Sequence, residues 1–264
     1  MMAARREVEA RAELRIDAAA RTHRGRRPNN EDAHVVDLDR QLFVVADGMG
    51  GYEGGEVASR LVVHTVHDFF VLDETDAERT WPFGIDHARG YVENQLACAV
   101  RSANLEVAQR RRGRLSKMGS TVVAVAIDGD RAVLAHVGDS RIYRLRAGRL
   151  EQLTRDHSLL AQLEAMGVAE KPDGIGHIIT RAVGFGEDAE PDLRVEPLAP
   201  GDVYLLCSDG LSDPLEPDTI AAMLAIDDAG EACEGLVAAA YDAGGTDNIT
   251  ALVVRVGEIV PRLR

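Results

Sequence analysis

Aspartates set against apolar runs, with glycines beside them, are the residues of this sequence best suited to chemistry. Asp47 lies in VVADGMGG (44–51), Asp209 and Asp213 in LLCSDGLSD (205–213), and Asp247 in GGTDNITALVV (244–254), while RPNNED (27–32) adds Glu31 and Asp32. Strands that end in carboxylates, where those ends converge, make an oxygen-rich cluster that hard cations such as Mg²⁺ or Mn²⁺ occupy. Asp47 is the best candidate for a ligand shared by two ions, because Gly48, Gly50 and Gly51 let the backbone approach and a carbonyl serve as a ligand. Two such ions about 3.5–4 Å apart lower the pKa of a bridging water and provide hydroxide near neutral pH, which attacks phosphorus without a covalent enzyme intermediate. The phosphate then needs a cation on its non-bridging oxygens, and Arg27, four residues before Glu31, offers a guanidinium that does this bidentately. Each feature has a plainer reading. Asp-Gly after a strand is an ordinary turn, and Arg27 belongs to an arginine-rich stretch (Arg21, Arg24, Arg26, Arg27) of the kind that is often merely solvated.

Elements must bring these residues together. Residues 13–20 alternate as a first strand, and 34–38 with 41–46 read as a hairpin turning at Asp39 and Arg40, with Asp32 before it and Asp47 after it. Helical spacing recurs over 56–69 and 86–111, joined by a surface connection in which Trp81 anchors a packed loop. Four strands, 121–127, 131–137, 140–146 and 150–154, read as one antiparallel meander with turns at Asp128-Gly129 and Ala147-Gly148. A helix over 158–166 opens a flap of about 159–178. Strands at 203–207 and 249–256 enclose helices at 217–225 and 230–241. Strand runs at both ends with a helix pair in each half predict an α+β fold, a two-sheet β-sandwich with helices packed outside. A flexible tail is expected over 1–12 and another over 258–264, with a single domain over 13–257.

The 264 residues carry 30 Lys and Arg against 44 Asp and Glu, a net charge of −14. That sign excludes a non-specific nucleic-acid binder and disfavours anionic membranes. Cys98, Cys207 and Cys233 are far apart in apolar contexts, so they read as buried small hydrophobes and not as a disulfide framework or zinc site. No apolar run reaches the roughly 20 residues that span a bilayer, and a cytoplasmic location is expected.

Taken together, RPNNEDA, VVADGMGG, MGSTVV (118–123), HVGDSRIYRL (136–145), LTRDHS (153–158), ITRAVG (179–184), LLCSDGLSD and GGTDNITALVV resemble, in order, the motifs of bacterial metal-dependent protein phosphatases of the type 2C family. The resemblance covers nearly the whole chain, about residues 14–256. It implies a central antiparallel β-sandwich flanked by helix pairs, and a hydrolase of phosphoserine and phosphothreonine that opposes Ser/Thr kinases with two Mn²⁺ or Mg²⁺ ions per chain; a monomer is expected, although no motif in the sequence fixes the oligomeric state. By the same resemblance Arg27 binds the phosphate, Glu31 and Asp32 sit at the second ion and in its water shell, Asp47 bridges, Gly48 gives its carbonyl, and Asp209 and Asp247 complete the first ion's site.

Two positions depart from the family pattern. Met49 stands where many eukaryotic members have a histidine, and a thioether donates no proton, so protonation of the leaving alkoxide falls to metal-bound water or, less readily, to His157. Ser116 stands where bacterial members are expected to place an aspartate that helps hold a third metal. With only Asp213 and Asp209 left for it, that third ion is expected to be weak or absent. The Ser116 departure motivates an alternative, a catalytically weak phosphoprotein-binding regulator. A phosphatase of small phosphate esters is another. Asp139 in GDSR reads as a turn residue, and His136 and His177 as structural or flap residues.

Overall fold

In the computed structural model, residues 13–51, 54–75, 81–168, 175, 178–186 and 189–260 are described. The elements in chain order are β1 (Glu13–His23), β2 (Asp32–Asp37), β3 (Leu42–Met49), α1 (Gly54–Thr75), α2 (Tyr91–Arg110), a 3₁₀ turn (Gly113–Leu115), β4 (Gly119–Ser120), β5 (Val122–Asp128), β6 (Arg131–Val137), β7 (Arg141–Arg146), β8 (Arg149–Gln152), α3 (Leu159–Ala165), β9 (Asp192–Pro197), β10 (Val203–Cys207), α4 (Asp209–Ser212), α5 (Pro217–Leu224), α6 (Ala229–Asp242) and β11 (Ile249–Val260). The strands form two antiparallel sheets, one ordered β1-β11-β10-β7-β8 and the other β2-β3-β5-β6-β9, with β4 pairing β3 at its end. This is the expected α+β sandwich flanked by helix pairs.

Period-two alternation explains the layering. Phe43 and Val45 of β3, Val123 and Val125 of β5, Tyr204 and Leu206 of β10, and Leu252 and Val254 of β11 point between the sheets. Their neighbours Leu42, Val44, Val122 and Ala124 face α1 and α2 on one outer side. On the other side Leu205, Cys207, Ala251 and Val253 face α5 and α6. Strands buried on both faces therefore read as unbroken apolar runs, which is why LFVVA and VYLLC stood out. Cys98, Cys207 and Cys233 are buried and form no disulfide. Trp81 packs edge-on between Phe69 and Tyr91. No helix among the described residues is long and apolar enough to cross a membrane.

Three expectations need correcting. The four middle strands are not one meander: β5 and β6 belong to one sheet and β7 and β8 to the other, so the chain crosses the sandwich at 138–140. There Gly138 takes a left-handed φ of 110°, a turn geometry that L side chains rarely adopt. β9 was not expected, because DLRVEP is a half-exposed edge strand whose only apolar side chains against the core are Leu193 and Val195. The C-terminal tail begins later than residue 258, since β11 runs on to Val260 against Glu13 of β1. The tails at 1–12 and 261–264, and His177, lie outside the described residues. Within the flap segment, Ser158 caps α3 by accepting from Ala161 N, and an antiparallel bridge between Ser158 and Ile179 closes its base.

Candidate active site

Asp32 and Asp47 face each other as register partners at one end of the β2–β3 hairpin. Asp209 follows β10 as the first residue of α4, and Asp247 precedes β11, whose pairing with β10 brings both carboxylates to the same end of the sandwich. Asp47 and Asp209 lie close enough that each perturbs the other's carboxyl. Buried hydroxyls fix Asp32: Ser208 Oγ and Thr250 Oγ1 donate to its Oδ2 at 2.8 and 2.5 Å. The backbone of Asp47 is held by Thr121, whose N donates to Asp47 O at 2.8 Å and whose Oγ1 accepts from Asp47 N at 3.0 Å.

Asn248 ties the loops together. Its Oδ1 accepts from Glu31 N at 2.7 Å, while its Nδ2 donates to the carbonyls of Arg24 and Asn29 at 2.9 Å each. Glycine is required where these loops touch. A Cβ on Gly48 would meet Gly55 O at 2.0 Å and Glu31 O at 2.7 Å, and one on Gly210 would meet Asn248 O at 2.1 Å. Arg27, 56% exposed at the rim, donates to Asp247 Oδ2 at 2.7 Å and to Thr246 O at 3.2 Å.

The crowding of acids sets the electrostatics. Burial pushes Asp32 up to about 7, against the hydrogen bonds from Thr250 and Ser208. Burial, then the charges of Asp32 and Asp209, raises Asp47 well above the usual carboxylate range. Asp209 is raised by burial and by Asp213 and Asp247, and Glu31 by burial despite Arg27. Two buried oxygens, Asp32 Oδ1 and Asp209 Oδ1, have no hydrogen-bond partner among the described residues. An all-oxygen donor set with orphaned, proton-hungry carboxylates fits hard divalent cations.

Sequence reasoning passed over Asp139. It is buried on the crossing between the sheets and pushed up to about 7 by burial, then by Asp209, with Asp156 and Asp213 adding to the repulsion. Asp139 thus joins Asp32 and Asp47 among the carboxyls raised by Asp209, and Ser116 lines an open cavity with Gly50 and Gly51. A glycine before an Asp-Ser pair between strands was the only available signal. Ser208, Thr250 and Asn248 were also missed, since hydroxyls and amides beside strands carry no local signature.

His157 is unfit as a proton donor. Burial and the neighbouring His136 depress it to about 4, its Nδ1 accepts from Gly138 N, and its Nε2 faces Asp192 at 3.2 Å. His136, His157 and Asp192 lie close enough to hold a metal. The Arg181 guanidinium, 2.6 Å from Asp192 and 2.9 Å from His157, already supplies the cation there.

The family model described as protein phosphatase 2C matches residues 19–228. The chain belongs to that family. It is 38% identical over 254 residues to the serine/threonine protein phosphatase PstP of Mycobacterium tuberculosis, covering 94% of this chain and 46% of that protein, so it spans under half of that relative's length. To the serine/threonine phosphatase stp of Listeria innocua it is 36% identical over 250 residues, covering 90% of this chain and 95% of the relative. Among solved structures, the PstP catalytic domain in complex with two manganese ions superposes with a TM-score of 0.78 at 37% identity, covering 93% of this chain and all of that one. In this type 2C fold the acidic end of the sandwich lies at the β2–β3 hairpin and the start of β11.

Proposed function

We propose that the chain hydrolyses phosphoserine and phosphothreonine monoesters in proteins, using two Mn²⁺ or Mg²⁺ ions, and so reverses Ser/Thr kinase signalling as a monomer. The observation that carries this reading is the pair of orphaned buried oxygens on Asp32 and Asp209 within a cluster of raised carboxyls. An unpaired buried polar atom costs about 1–3 kcal/mol, and more when charged. Two manganese ions in the PstP catalytic domain support the same count here.

When bound, such ions supply Lewis acidity and acidify a water, so that hydroxide is available near neutral pH. Asp47, Asp209, Asp247, Glu31 and the Gly48 carbonyl are assigned to hold them, with Asp32 acting through water and Asp139 and Asp213 beside Asp209 as the acids nearest any third ion. Ser208 and Thr250 orient Asp32, and Asn248 keeps Glu31 in register with Asp247. Arg27, aimed by Asp247 and Thr246 O, clamps the non-bridging phosphate oxygens bidentately. Met49 and the neutral His157 offer the leaving alkoxide no proton, so water provides it.

Phosphate release from a phosphothreonine peptide across a Mn²⁺ titration tests this reading. Saturable release, abolished by chelator, is expected. Folded protein that releases no phosphate at any metal concentration would refute it and favour a phosphoprotein-binding role.

A further inference from the structure

The acidic cluster accounts for the phosphate but not for the peptide bearing it. Next to the cluster opens a cavity of about 950 Å³ whose lining includes Asn29, Gly50, Gly51, Arg114, Ser116 and Lys117. Asn29 lies between Arg27 and Glu31, and Gly50 follows Asp47 by three residues, so the cavity starts at the rim of the candidate site. Arg114, Ser116 and Lys117 of that lining belong to RRRGRLSK (110–117), a stretch with five cations and no acid in a chain of net charge −14.

Two of the five are already committed. Arg110 pairs with Glu106, and Arg111 donates to the carbonyls of Ser116 and Gly184 and stacks over Phe185. Arg112, Arg114 and Lys117 are exposed, and none of them pairs with a carboxylate among the described residues. Their backbone is fixed relative to the acids: Met49 pairs with Gly119 in the β3–β4 register. A Cβ on Gly50 would meet Lys117 O at 2.9 Å and Met118 Cα at 2.7 Å.

We propose that this basic wall binds aspartate and glutamate side chains flanking the phosphorylated residue, so that the protein substrates of this chain are acidic around their phosphosites. The inference rests on the phosphatase reading above. A long polyanion such as nucleic acid would meet the repulsion of the remaining surface, whereas a short acidic segment feels mainly the local cations.

The test compares kcat/KM for three phosphothreonine peptides with acidic, neutral and basic flanks, alongside para-nitrophenyl phosphate, in the wild-type chain and in the Arg114→Glu/Lys117→Glu double variant. Binding of the same peptides is followed by fluorescence anisotropy. The wild type is expected to favour the acidic over the neutral peptide by roughly five- to tenfold, with the margin shrinking as salt rises. The double variant should lose or invert that order while turning over the small ester at the wild-type rate, which also shows that it is folded. Equal values for the three peptides, or the same preference in the variant, would overturn the proposal. Absence of turnover on every ester, with acidic peptides still bound more tightly by the wild type alone, would instead defeat the phosphatase reading and leave the acidic preference of the wall standing.

Discussion

Asp32 and Asp139 have a consequence for stability. Burial lifts both to about 7, far above the ordinary value near 3.9 of an unfolded aspartate. Between about pH 4 and 7 the folded metal-free chain therefore holds protons that the unfolded chain has released, and its stability falls as pH rises through that window. Cations that displace these protons reverse the trend. Thermal melts in chelator are expected to drop by several degrees from pH 5 to pH 7.5, at about 2–4 °C per kcal/mol for a domain of this size. Added Mn²⁺ should raise the melting temperature more at pH 7.5 than at pH 5. Arg27→Ala should lower kcat/KM on a phosphopeptide by roughly 10- to 100-fold through loss of charged hydrogen bonds. Arg27→Lys should recover only part of it, since an ammonium is a point charge and not a fork. Steady-state kinetics at saturating metal would check both.

At the scale of elements, what was legible followed from local rules. LFVVA and VYLLC announce strands buried on both faces, and the glycines after Asp47 and Asp209 mark where backbone must come close. Which sheet a strand joins is not local. Arg141–Arg146 has the composition of a meander strand, yet it pairs with β10 in the other sheet, and that crossing is what carries Asp139 to Asp209. Asn248 likewise gains its role from long-range contacts with Arg24, Asn29 and Glu31. Two substitutions separate packing from positioning. Leu206→Ala, between the sheets, should cost about 2–5 kcal/mol in denaturant melts with turnover per folded molecule kept. Gly210→Ala forces its Cβ toward Asn248 O, 2.1 Å away. It should raise the Mn²⁺ concentration needed for half-maximal activity by more than its loss of stability explains.

The molecule as a whole is three apolar layers that bring the ends of β2, β3, β10 and β11 to one edge of the sandwich. At that edge a group of buried, mutually repelling carboxyls adjoins a cavity lined by Arg114 and Lys117. The layering was readable because alternation and helix pairing repeat along the chain, whereas the convergence of four loops at one edge is a property of the closed sandwich. The central claim is that this edge is a two-ion centre, and anomalous scattering from crystals grown with Mn²⁺ tests it most directly. The account expects two peaks about 3.5–4 Å apart sharing Asp47, with Asp209 and Asp247 on one and Glu31 and the Gly48 carbonyl on the other. A single ion, or manganese bound only outside this cluster at saturating concentration, would contradict it.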